Sequence, residues 1–183
     1  METIAAARHE VNLLADQLER AFRGGAWHGP AVAETLFGVD AALASLRPIP
    51  AAHTIWEIVG HVTAWTDISR RRIEGEPIDK VPDERDWPVP PAGEAATEDA
   101  WHKALRALEE AHRRLHLAVL TLDDGRMEDP VAGSDPTLRG LLLGLLQHQT
   151  YHAGQIAVLR KAGVSAQANG TGTGTGTGAG GES

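Results

Sequence analysis

Cysteine is absent from the 183 residues. That excludes disulfides, thiolate metal ligands and a sulfur nucleophile carried by the protein itself. Aromatic residues are scarce at 4%, and five of the eight are Trp, four of them between residues 56 and 101. Large core volume must therefore come mainly from Leu, Ala, Val and Ile. Long apolar runs are missing too: the longest, residues 141–146, is interrupted by Gly144 and falls far short of the roughly 20 residues a membrane span needs. Positive charge is in deficit. A net charge of −8 argues against a nucleic-acid binder, which needs a basic patch to displace counterions. The one basic cluster, Arg70, Arg71 and Arg72, stands next to Glu74 and Glu76 and reads as the solvated end of a helix. The first residues carry acidic Glu2 and enter a helical pattern directly, so they do not read as a signal peptide. A soluble, cytoplasmic protein with no membrane or nucleic-acid partner is the expectation.

What remains is enough for one core. Hydrophobic residues make up 42% of the chain, near the globular average, and the length suits a single domain. Residues 1–165 read as that domain. Residues 166–183, mostly a Gly-Thr repeat, read as a flexible tail that buries nothing. Ile4, Ala7, Val11, Leu14, Leu18 and Phe22 recur at helical spacing and predict a first helix over residues 4–22, ended by Gly24 and Gly25. Two short helical pieces, residues 31–37 and 40–46, follow Pro30 and stop before Pro48 and Pro50. Thr54-x-x-Glu57 is a capping-box pattern that opens a second long helix, running to about residue 74. Residues 76–96 hold five prolines and predict an irregular crossing segment. A third helix is predicted over residues 98–122. A fourth is predicted from Asp135 as N-cap and Pro136 at the first helical position to residue 161, before Gly163. No strand alternation is present, so the fold class is all-α. Four long amphipathic helices favour a four-helix bundle.

The chemistry resides in histidines. His148 and His152 lie four residues apart on the fourth helix, so both imidazoles reach one ion from the same face. Their stripe includes Leu141, Leu145, Gln155 and Leu159, which turns the pair inward. His61 shares a stripe with Ile58, Trp65 and Ile68 on the second helix and faces inward as well. A lone inward His is more often a hydrogen-bonded core residue than a ligand. Three of them on two helices would leave buried nitrogens unsatisfied unless they share a partner, and one metal ion answers all three. Glu57 lies one turn before His61, as a helix cap, a group holding the imidazole, or a proton acceptor. His112 is read as a fourth ligand or as an ordinary core histidine, and His53 as a residue of the pocket mouth. Imidazole donors suit several divalent metals, so the residues alone do not choose between nickel, zinc, iron and manganese.

Two segments carry a family resemblance. His53-Thr54-Ile55-Trp56-Glu57-Ile58-Val59-Gly60-His61 and His148-Gln149-Thr150-Tyr151-His152-Ala153-Gly154-Gln155-Ile156 resemble the paired histidine motifs of the DinB-like proteins. Ala26-Trp27-His28-Gly29-Pro30 and Asp86-Trp87-Pro88 are similar to recurring pieces of one subgroup, so the likeness runs from about residue 5 to residue 162. It implies a four-helix bundle of up-down-down-up order and a nickel or zinc ion on His61, His148 and His152, with water completing the shell. It also implies a homodimer. Some members of that family are S-transferases in which the metal activates a low-molecular-weight thiol such as bacillithiol or mycothiol. A thiol-dependent transferase acting on a small molecule is therefore the leading expectation. A hydrolase with Glu57 as base, or a non-catalytic metal- or small-molecule-binding module, are the alternatives.

Overall fold

A computed structural model describes residues 8–134 and 136–170, with side chains to residue 168. Among the described residues there are seven α-helices, two short 3-10 turns and no strand, only an isolated bridge between Pro130 and Thr137. The helices are α1 (His9–Arg23), α2 (Val32–Leu36), α3 (Ala41–Ser45), α4 (Ile55–Ile73), α5 (Asp83–Asp86), α6 (Glu98–Val119) and α7 (Leu138–Gly170). None is long and apolar enough to cross a membrane.

Local chemistry explains most of the boundaries. Thr54 Oγ1 accepts from the Glu57 backbone N–H at 3.1 Å while the Glu57 carboxylate accepts from Thr54 N–H at 2.7 Å, a closed capping box at the start of α4. Asp40 caps α3 and Thr97 caps α6. The start of α1 has no such local cap. Its Glu10 and Val11 N–H groups donate instead to the Asp124 carboxylate, at 3.2 and 3.0 Å, from the turn Asp124–Arg126. Ile4 and Ala7, assigned to this helix from their spacing, lie outside the described residues.

Three boundaries differ from the sequence reading. The third long helix ends at Val119 rather than at residue 122, because Thr121 and Leu122 turn away through bonds to the carbonyls three residues back. The fourth begins at Leu138, since Val131 N–H pairs with the Pro136 carbonyl and draws residues 136 and 137 into the preceding loop. Thr137 Oγ1 then accepts from Gly140 N–H at 3.3 Å, the capping contact assigned from sequence to Asp135; Asp135 itself lies outside the described residues. At its other end α7 passes through Gly163 and continues to Gly170. A Cβ at Gly163 would approach Leu43 Cδ1 to 2.5 Å, so this glycine lets α3 lie close to α7 and does not end the helix. Of the predicted tail, residues 171–183 lie outside the described residues.

α1 and α4 each pack against both α6 and α7, the short α2 packs on α1 and α7, and the short α3 packs on α4, α6 and α7. The core falls into two clusters. One gathers Phe22, Trp56, Trp101, Leu108 and Ile156; the other gathers Leu14, Leu115, Met127, Leu142 and Leu145. Between them in register stand fully buried polar residues, Thr66, His112 and Gln149. Arg72, read from sequence as solvated, is buried. Its guanidinium donates to the Ile78 carbonyl at 2.8 Å and lies over the Trp65 ring, while Arg70 and Arg71 pair with Asp67, Glu74 and Glu76 as a solvated helix end should.

His112 stacks on Phe22 at 3.8 Å, and its Nε2–H donates to Glu19 at 2.8 Å. Burial pushes its pKa below the ordinary histidine value; Glu19 opposes the shift, while Arg23 and His116 add to it. A depressed folded-state pKa means that the unfolded chain takes up the proton first as pH falls. The stability tied to this group is therefore complete above about pH 6.5 and is lost as pH drops from there toward the folded-state value. Urea unfolding of the metal-free protein at pH 7.5 and 5.5 is expected to show this loss, and a smaller loss in His112→Leu. An equal loss in both proteins would remove His112 as its source.

Candidate metal centre

The capping box sets the phase of α4, which places His61 two turns into the helix on its inward face, 6% exposed. On α7 the four-residue spacing stacks His148 and His152 along one stripe, with His152 4% exposed and His148 half-buried. α4 and α7 are packed together, and the three rings meet across the contact. Ring centroids lie 4.4 to 4.9 Å apart. His61 Nε2 is 2.9 Å from His148 Nε2, and one nitrogen from each of the three rings falls within 4.8 Å of the others.

Two of the rings are oriented from behind. His61 Nδ1–H donates to the Asp86 carbonyl at 2.8 Å, with the Asp86 carboxylate 3.1 Å away. That carboxylate is in turn held by Trp65 Nε1–H at 2.6 Å. His152 Nδ1–H donates to Gln155 Oε1 at 2.7 Å, and Gln155 Nε2 donates to the Tyr151 hydroxyl at 3.0 Å. With the proton on Nδ1 in both rings, each Nε2 presents a lone pair inward, the tautomer a metal requires. Burial, reinforced for each by neighbouring imidazoles, lowers the pKa of His148 and of His152 to about 4; burial also lowers that of His61. All three are neutral donors at pH 7.

The donor types suit a divalent ion, and one pair already has the spacing of two ligands on it. The full group spreads to within 4.8 Å and must draw together slightly to share one ion. With nitrogen–metal bonds near 2.1 Å, cis ligands lie about 3.0 Å apart at a right angle and about 3.4 Å apart at a tetrahedral one. The 2.9 Å between His61 and His148 is close to the first. Two lone pairs cannot share that distance without a proton or a cation between them. Among the described residues no fourth His, Asp or Glu joins the group.

The sequence model of the DinB superfamily matches residues 26–156. The chain belongs to the DinB superfamily. No curated protein and no solved structure matches it. The superfamily match spans both histidine segments, the Asp86-Trp87-Pro88 piece and the capping box.

Of the other residues singled out from sequence, His112 stands apart, paired with Glu19 rather than with the three histidines. His53 stacks on Trp87 at 3.7 Å, and Trp87 stacks on His61 at 3.8 Å, so the three rings form a column. Glu57 closes the cap, accepts from Arg47 at 2.7 and 2.8 Å, and lies 3.4 Å from His53 Nδ1. Burial opposes its ionisation, but the Thr54 N–H and the Arg47 guanidinium outweigh that and hold its pKa below the ordinary glutamate value. The residues that sequence reasoning left without a role are Trp65, Asp86, Trp87 and Gln155. Gln155 had a usable signal: it follows His152 by three residues on the same helix face, where an amide reaches the ring nitrogen. Asp86 and Trp87 had only the likeness of Asp86-Trp87-Pro88 to a recurring family piece, which gives no role, since they come from the irregular segment and only the folded chain brings them to His61.

Proposed function

We propose that this DinB superfamily member is a metal-dependent enzyme in which His61, His148 and His152 hold one nickel or zinc ion and activate a low-molecular-weight thiol for transfer to a small substrate. The observation that carries the reading is the convergence of three neutral imidazoles with no fourth side-chain ligand in the group among the described residues. A structural site normally closes its shell with four protein ligands, whereas an open one serves catalysis. A divalent ion on three neutral donors keeps its full charge and would lower the pKa of a thiol reaching its open side. The thiol must come from outside, because the chain has no cysteine.

The chain's own residues then have distinct tasks. Asp86 and Gln155 keep the Nδ1 protons in place, so that the Nε2 atoms stay available. Trp87 covers one face of His61 and keeps water from it. Glu57 is a positioning residue in this reading, steadying His53 behind Trp87. A hydrolytic reading would make Glu57 the base, and we rank it second because Arg47 and Thr54 occupy both carboxylate oxygens. The packing of α1 and α4 against both α6 and α7 supports a four-helix bundle, and its up-down-down-up order is carried over from the superfamily. A cytoplasmic homodimer is part of the proposal. Leu143, Tyr151 and Val158, all exposed along α7, support self-association.

The test is thiol transfer by nickel- or zinc-loaded protein, assayed with a panel of small thiols and an electrophilic acceptor. Transfer is expected in the loaded wild type and to fall to the uncatalysed rate in His148→Ala. Full activity in that variant would overturn the proposal.

A further inference from the structure

The three histidines are not equally open. Trp87 lies flat on His61, and the Tyr151 ring stands edge-on to His152 at 5.1 Å. Only His148 keeps partial exposure. Beside it α4 and α7 part to leave a cleft of about 250 Å³, walled by Trp65 and Ser69 of α4 and by Gly140, Gly144 and Leu145 of α7, with His148 at its end. Four larger cavities, of about 700, 480, 450 and 370 Å³, are bordered by none of the three histidines.

Two residues bear on what the cleft can hold. Gly144 is inside a long helix, where glycine is about 1 kcal/mol less favourable than alanine. Its missing side chain makes no room for protein: a Cβ there would meet nothing within 4 Å, whereas at Gly140 it would approach Pro136 Cβ to 3.0 Å and at Gly163 it would collide with Leu43. Gly144 is itself exposed, so this open space is the solvent side of the cleft mouth. The second is Ser69, 2% exposed, whose hydroxyl borders the cleft and makes no hydrogen bond among the described residues. The hydroxyl itself keeps some accessibility, so water or an occupant of the cleft can be its partner.

We propose that this cleft receives the apolar group of a small anionic ligand whose head reaches the metal from the His148 side, with Ser69 offering a hydrogen bond along its length. The inference rests on the metal reading above and adds to it the ligand's shape and size. A cavity of about 150 Å³ accommodates benzene, so the cleft of about 250 Å³ has room for a single ring or a short branched chain.

Acetohydroxamate and benzohydroxamate chelate a metal through the same group and differ only in methyl against phenyl, which makes them suitable probes. Calorimetric titration into the zinc-loaded full chain is expected to show benzohydroxamate binding about tenfold or more tighter. In Gly144→Leu, which raises helix propensity and clashes with nothing at Cβ, the preference should vanish while acetohydroxamate affinity, metal content and melting temperature are kept. A phenyl preference that persists in Gly144→Leu would overturn the cleft assignment alone. A wild type that holds no metal, or whose bound metal takes up neither hydroxamate, would overturn the metal reading and the cleft with it.

Discussion

Saturation with nickel or zinc is expected to raise the unfolding free energy by about 4 kcal/mol when free metal exceeds its dissociation constant a thousandfold. For a chain of this size that corresponds to a melting shift of about 8–16 °C. The physical reason is that His61 comes from α4 and His148 and His152 from α7. The donors are gathered only when those helices are packed, and the unfolded chain has no comparable site. Protons compete weakly above pH 6, since burial already holds His148 and His152 at a pKa of about 4. The triple variant His61→Ala, His148→Ala, His152→Ala should remain helical, bind no metal and show no shift, by scanning calorimetry beside metal analysis. A shift of equal size in the triple variant would place the metal elsewhere, and no shift in either protein would leave three neutral histidines in a helical core.

The most damaging single core substitution is expected to be Trp101→Ala, at about 4 kcal/mol. Trp101 is fully buried, packs edge-to-face with Trp56 at 5.1 Å, and its Nε1–H donates to the Val39 carbonyl at 2.7 Å. Truncation opens a cavity and strips a partner from a buried carbonyl on the linker between α2 and α3. Both losses act in the same direction. Trp27 is the natural comparison: it is fully exposed, at 101%, and Trp27→Ala should change stability by no more than about 0.5 kcal/mol. Urea denaturation of the two variants decides it. Near-equal midpoints would mean that Trp101 is not the keystone of the cluster it shares with Phe22 and Ile156.

How much of this was legible in the sequence varies with the range of the interaction involved. The capping box at Thr54 and Glu57 is local and was read correctly, and the three inward histidines followed from four-residue spacing on α7 and the apolar stripe of α4. Superfamily membership was legible from the same motifs. Gly163 misled because a glycine that ends a helix and one that admits a neighbour look alike until Leu43 is placed against it. Arg72 misled because its neighbours Arg70 and Arg71 are solvated, while the Ile78 carbonyl that receives it lies in the following irregular segment. Asp86 and Trp87 reach His61 across a proline-rich crossing whose path no periodicity encodes.

The tie between Asp124 and the start of α1 bears on the order in which the protein can assemble. Val11 and its capping carboxylate are 113 residues apart in sequence. A nascent chain emerging from the ribosome therefore exposes all of α1 long before the group that completes its first turn exists. Until residue 124 has been synthesised and the turn after α6 has closed, the N-terminal N–H groups of α1 must be satisfied by water, and the helix can form only provisionally. Its final anchoring belongs to the later stages of folding, when the chain after α6 returns to the helix with which the described structure begins.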